Sequence, residues 1–128
     1  MKRVHEEHAM KLDMDLVRLI LFQVEDCMNP WGLEKVTVEG FPPEVVDYHV
    51  VYCVDSGLLT GGKLFTSGSR TYVGVNLTPL GHDFVSESRN DTTWNAAKEQ
   101  IRQKGLPATI DVLKTVLSGL IKSAIGLN

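Results

Sequence analysis

Four histidines, two cysteines and one glycine-spaced lysine are the residues of this chain whose types could support ligand chemistry or catalysis. Gly57-x-x-x-x-Gly62-Lys63 has the spacing of a phosphate-binding loop, in which backbone amides cradle the phosphates and the lysine reaches them. Leu64 stands where a serine or threonine must hold magnesium, and the pattern places a helix before the loop rather than after it. No helix N-terminus would then face a phosphate. Gly57 is better explained as a helix stop and Gly61-Gly62 as a turn. His82-Asp83 has the residue types of a hydrolytic metal site, but such a site gathers more ligands and only His49 remains within the ordered pattern. Asp83 suits the first turn of a helix, His82 a packing position over a hairpin, and His49 a half-buried, hydrogen-bonded place in mid-helix. His5-Glu6-Glu7-His8 could chelate a metal weakly. Cys27 and Cys53 form no C-x-x-C pair, and neither has a cationic neighbour that would favour its thiolate. No G-x-S-x-G elbow is present. The expectation is no catalytic residue, no metal and no cofactor, hence no enzyme.

What remains is binding. The net charge of −3 creates no global field that would draw nucleic acid or anionic lipid. It is divided unevenly, with 13 acidic and 8 basic side chains in residues 1–90 and 3 acidic and 5 basic in residues 91–128. Phosphates are met by lysine and arginine, and base edges by side chains of an inserted helix. Lys63 and Arg70 flank a hairpin tip, Lys35 can join them, and Lys98 and Arg102, four apart, share one helix face. These five are the candidate nucleic-acid contacts. The helix beginning at Pro43 points the other way: Glu44, Asp47, Tyr48 and Val51 form its expected outward face, without a lysine or arginine. Two carboxylates there would face a wall of phosphates, each contact at ~4 Å costing about 1 kcal/mol even in bulk water. That face suits a basic protein partner better.

The elements that must position these residues follow from local signals. Asp13 or Asp15 caps a helix with Leu16, Leu19, Ile20, Val24 and Cys27 on its apolar face. Lys35–Glu39 alternates as a short strand. Pro42-Pro43 opens a second helix with Val46, Val50 and Cys53 inward, stopped by Gly57. Lys63–Phe65 and Arg70–Leu77 pair as a hairpin. Thr78-Pro79, Asn90 or Asp91, and Thr109 each start a further helix. The predicted fold is α+β: a winged helix-turn-helix with a C-terminal two-helix extension. Residues 1–12 form a flexible extension, 13–90 the winged-helix domain and 91–128 the helical extension.

The last helix is apolar over more than half its circumference, whereas a helix lying on a small domain needs a stripe only about 100° wide or somewhat more. Leu113, Leu117, Leu120 and Ile121 are the expected seam of a homodimer. No apolar run reaches membrane-spanning length, the N-terminus has no signal-peptide pattern, and unpaired cysteines fit a reducing cytoplasm.

Four segments in order carry a family resemblance: Met10-Lys-Leu-Asp-Met-Asp-Leu-Val-Arg18; Tyr48-His49 with Gly57-Leu58; Leu77-Thr78-Pro79-Leu80-Gly81-His82-Asp83-Phe84; and Arg89-Asn90-Asp91-Thr92 leading to Trp94 and Lys98. The chain resembles, over roughly residues 10–122, the family catalogued as domain of unknown function 2513, small proteins of bacteria, prophages and phages. The resemblance implies a winged-helix-like domain with a helical extension. It carries no activity and no site residues, and it marks Met10 as the family-like start. The expected function is a phage or bacterial regulator that binds DNA weakly through its wing and basic tail. The alternative is an adaptor or inhibitor that binds a protein through the acidic helix.

Overall fold

The computed structural model describes residues 11–66 and 69–126, and for residues 65, 66, 69 and 70 the backbone alone. The expected N-terminal extension and the His5–His8 cluster therefore lie almost wholly outside the described residues. The described chain is α+β, with five helices and one two-stranded antiparallel sheet. Its order is α1 (Met14–Glu25), α2 (Pro43–Asp55), β1 (Leu59–Thr66), β2 (Ser69–Leu77), α3 (Pro79–Ser88), α4 (Asp91–Gln103) and α5 (Ile110–Ala124).

Four of the five helices start where a capping side chain takes up backbone amides that would otherwise be orphaned. The Asp13 carboxylate accepts from the amides of Asp15 and Leu16, Thr78 Oγ1 from Gly81, Asn90 Oδ1 from Thr93, and Thr109 Oγ1 from Val112. Helix α2 opens on Pro42 and Pro43 with no side-chain cap. Helix α1 buries Leu16, Val17, Ile20, Leu21 and Val24, which leaves Leu19 on the exposed flank, against expectation. The helix also ends at Glu25, so Cys27 falls in the loop beyond it, half-buried.

Strands β1 and β2 pair from Leu59↔Leu77 to Thr66↔Ser69, with a bulge between Thr60 and Gly62. The hairpin lies on α1, α2 and α3, and α5 packs against α4 and α3. The strand expected at Lys35–Glu39 does not form. Its alternation is present, with Val36 buried and Val38 half-buried, but the ladder is missing. The Gln23 side chain accepts from the Thr37 amide and donates to the Thr37 carbonyl, satisfying the groups a neighbouring strand would have paired. A single bridge, Leu33↔Val75, is what remains of a third strand, with N–H···O distances of 2.9 Å both ways. That approach depends on glycine: a Cβ on Gly32, at φ +94°, would lie 2.5 Å from the Gly74 carbonyl carbon.

One core runs through the whole described chain. Leu16 and Ile20 of α1, Val50 of α2, Val75 of β2, Phe84 of α3, Trp94 of α4 and Leu117 of α5 belong to the same buried cluster. Gly81 lets α3 reach it, because a Cβ there would sit 2.1 Å from the Leu58 carbonyl oxygen. His82, next to it, is exposed and does not pack over the hairpin as expected. Asp83 is exposed too and falls past the first turn of α3, which carries no acidic residue, against expectation.

Candidate functional site

Of the tail cations, Lys98 is held in a seam between α1 and α4. Asp15 accepts from Trp94 Nε1 at 2.7 Å and from Lys98 Nζ at 2.8 and 2.9 Å. Partial burial works to raise the Asp15 pKa, but the hydrogen bonds from Lys98 and Trp94 and the charges of Lys98 and Arg18 outweigh it and hold the carboxyl below its ordinary value. Below Asp15, the Arg18 guanidinium lies 4.8 Å from the Phe22 ring centroid and 5.3 Å from that of Trp94. Its donors reach the Ser88 carbonyl (2.8 Å), the Arg89 carbonyl (3.0 Å) and Asp91 (2.7 Å). Arg18 thus takes carbonyls at the end of α3 and the acidic first residue of α4 at once, a geometry that suits a planar fork and not an ammonium. Arg89 closes the seam on Glu25 at 2.5 Å. Arg102 is paired with Glu99, one turn back on α4.

The α2–hairpin surface is different in kind. Asp47 accepts from Thr71 Oγ1 of β2 at 3.0 Å and lies 3.8 Å from Lys35 Nζ. One residue expected to meet DNA and one expected to meet a protein are thus engaged with each other. Val51 is buried, not outward, because it faces the core beside Val50. Pro43, Glu44, Tyr48 and Asp55 are the exposed positions of the helix. Lys63 is exposed on β1 opposite Tyr72, beside exposed Leu64. Arg70 pairs with Phe65 through the backbone, and its side chain lies outside the described residues.

On α5, Leu113 and Leu117 are fully buried within the chain, so they cannot form the expected intermolecular seam. They face α3 and α4 because those helices cover that side of α5. Leu120 and Ile121 are half-buried, as are Val112 and Val116, and Ile125 just past the helix is exposed.

A cavity of about 700 Å³ opens where the chain enters α1 and α2 and leaves α4. Its walls include Leu12 and Met14, Phe41, Pro42 and Val45, and Ile101, Leu106 and Ala108. His49 lies in its lining, fully buried, with Nδ1 2.8 Å from the Val45 carbonyl and Nε2 accepting from the Asp13 amide at 3.0 Å. The two contacts require the neutral ring with its proton on Nδ1. The expectation of a hydrogen-bonded histidine holds, with burial complete. Burial also pushes the Cys53 thiol up to about 12, which leaves it an inert packing residue. Among the described residues no three His, Cys, Asp or Glu side chains gather to hold a metal ion.

Sequence reasoning missed the roles of Asp15, Arg18 and Gln23, and the cavity altogether. Their partners are distant in sequence, and no local spacing announces them. All four segments of the family resemblance meet in these contacts: Asp13 binds His49, Asp15 and Arg18 bind Trp94, Lys98 and Asp91, and Phe84 meets Trp94 edge to face at 6.2 Å.

Comparison with known proteins agrees. No helix among the described residues is long and apolar enough to cross a membrane. No solved structure matches the chain significantly. A Haemophilus influenzae protein that carries only the name "Uncharacterized protein" is 32% identical over 113 residues, covering 88% of this chain and 96% of that one. The family model described as "Hypothetical protein (DUF2513)" matches residues 11–107, from the approach to α1 through the whole of α4. The chain belongs to the DUF2513 family.

Proposed function

We propose that this is a non-enzymatic winged-helix regulator, of phage or bacterial type and cytoplasmic, that meets DNA through its hairpin and not through α2. The order of elements supports a winged helix: α1, a one-bridge remnant of a strand, α2, then the hairpin, closed by α3. The observation that carries the DNA reading is the hairpin itself, with exposed Lys63 on one strand and Arg70 near the tip of the other. Lys98 and Arg102 add little while paired with Asp15 and Glu99. Exposed pairs of this kind are weak, so phosphates can displace the carboxylates, but each cation then gains one partner only by giving up another. Binding is therefore expected to be weak, independent of sequence and steeply salt-dependent. Fluorescence anisotropy with a random duplex tests it. Binding should appear at ~50 mM salt and vanish in the Lys63→Glu, Arg70→Glu double variant; silence at high micromolar protein in that buffer refutes the proposal.

A second reading is favoured by exposed Glu44, Tyr48 and Asp55 on a helix without a lysine or arginine. There the module presents an acidic, aromatic ridge to a basic protein. Glu44→Lys with Asp55→Lys separates the two ideas and leaves the Asp47–Thr71 contact intact. If the reversals strengthen DNA binding and lose no protein partner, the adaptor reading fails. Either form is proposed to be a homodimer through the outer side of α5, around Val116, Leu120 and Ile121. Sedimentation of Leu120→Lys against wild type reads this directly, and a wild-type monomer at all concentrations excludes it.

A further inference from the structure

We infer that the cavity between the entries of α1 and α2 and the end of α4 is a binding site for a small amphipathic organic acid. The inference does not rest on the DNA reading and adds a ligand that neither proposed target supplies. A volume of about 700 Å³ is in the range that small-molecule sites occupy. Its walls are mainly apolar, and two of its lining residues, Leu12 and Leu106, are large aliphatic groups 41% and 42% exposed. Such groups gain by being covered. Lys11, Lys98 and Arg102 stand in the lining against Asp13 and Asp15.

The two carboxylates are already engaged by this chain's own donors, Asp13 by the first-turn amides of α1 and Asp15 by Trp94 and Lys98. The three cations of the lining outnumber them, so a cationic guest is disfavoured. Arg102 is held only by an exposed neighbour on its own helix, a pairing that a ligand carboxylate or sulfonate can replace at little cost. His49 has both ring nitrogens engaged, so it contributes shape and not a hydrogen bond to the guest. Apolar walls below and an exchangeable guanidinium above select an apolar body with an anionic head.

The test uses the full chain and the aromatic sulfonate 1-anilinonaphthalene-8-sulfonate, read by its fluorescence. One probe per chain should bind. Decanoate should displace it at concentrations at least about tenfold lower than decylammonium, both kept below micelle formation; tenfold corresponds to about 1.4 kcal/mol. Ala108→Trp, at an exposed position of the lining, should fill the space and remove the signal. Lys11→Glu with Arg102→Glu should weaken the probe by a similar tenfold, and Val116→Lys, on α5, should leave probe binding unchanged whether or not it splits the proposed α5 dimer. The inference is overturned by no binding, by equal displacement by the two ions, or by loss of signal in Val116→Lys and not in Ala108→Trp. If Ala108→Trp does not fold by circular dichroism, the charge variant and the two ions decide alone.

Discussion

The α1–α4 seam and the α2–hairpin face hold comparable numbers of charged and aromatic groups and use them in opposite ways. In the seam nearly every polar atom meets a partner from another helix: Asp15 with Trp94 and Lys98, Arg18 with the Ser88 and Arg89 carbonyls and Asp91. On the face, among the described residues, only Asp47 reaches across, to Thr71 and Lys35, and Glu44, Tyr48, Asp55 and Lys63 are exposed. The contrast separates residues that determine the fold from residues available for recognition. It also shows why the family-like segments are a poor guide to function: of their charges, Asp15, Arg18, Arg89, Asp91 and Lys98 sit in the seam, where they hold helices together.

The comparison breaks if the seam tolerates change. Trp94→Ala should cost about 3–5 kcal/mol, the range for emptying a buried aromatic site, in urea denaturation followed by circular dichroism. Arg18→Lys keeps the charge and loses the fork and the stacking between Phe22 and Trp94, so a cost of about 1.5–3 kcal/mol is expected by the same measurement. Near-wild-type stability would mean that the guanidinium geometry is incidental.

Asp15 sharpens the contrast through pH. Its pKa is lowered in the folded chain, so its contribution is present above the unfolded value of 3.8 and is lost as pH falls through the lower folded value. The stability difference between wild type and Asp15→Asn should therefore be constant from neutral pH to about 5 and shrink below about 4. A difference that grows on acidification would contradict the assigned ion pair. The smallest effect belongs to the face: Glu44→Lys and Tyr48→Ala should each shift stability by no more than about 0.5 kcal/mol while altering binding. A larger loss would place them with the structural residues.

Local signals were legible and distant ones were not. Asp13, Thr78, Asn90 and Thr109 start helices by contacts within three residues, Pro43 by its fixed backbone angle, and the hairpin follows from β-rich segments around glycine and serine. The partners of Arg18 lie 70 to 73 residues away and Trp94 lies 79 from Asp15, so nothing in their neighbourhoods announces the seam. Periodicity revealed the apolar excess of α5 but not its orientation, and Leu113 and Leu117 turned out to face inward. Val51 was misplaced for the same reason, since the hairpin broadens the buried stripe of α2. Alternation placed Val36 and Val38 correctly and missed that Gln23 replaces the neighbouring strand. Of the candidate sites, the exposed cation of β1 and the acid positions of α2 were readable; the cavity, assembled from four separate stretches, was not.

The clasp of Arg18 on both sides of the α3–α4 corner has a consequence for how such a chain can be inherited. A gene fragment stopping at Asn90 would encode an arginine without its acidic partner and a core stripped of its tryptophan. The terminal helices are then no detachable cassette, to be shuffled onto other proteins or shed by a shortened relative. Lineages should keep or lose the stretch from Asp13 to Leu117 as one unit.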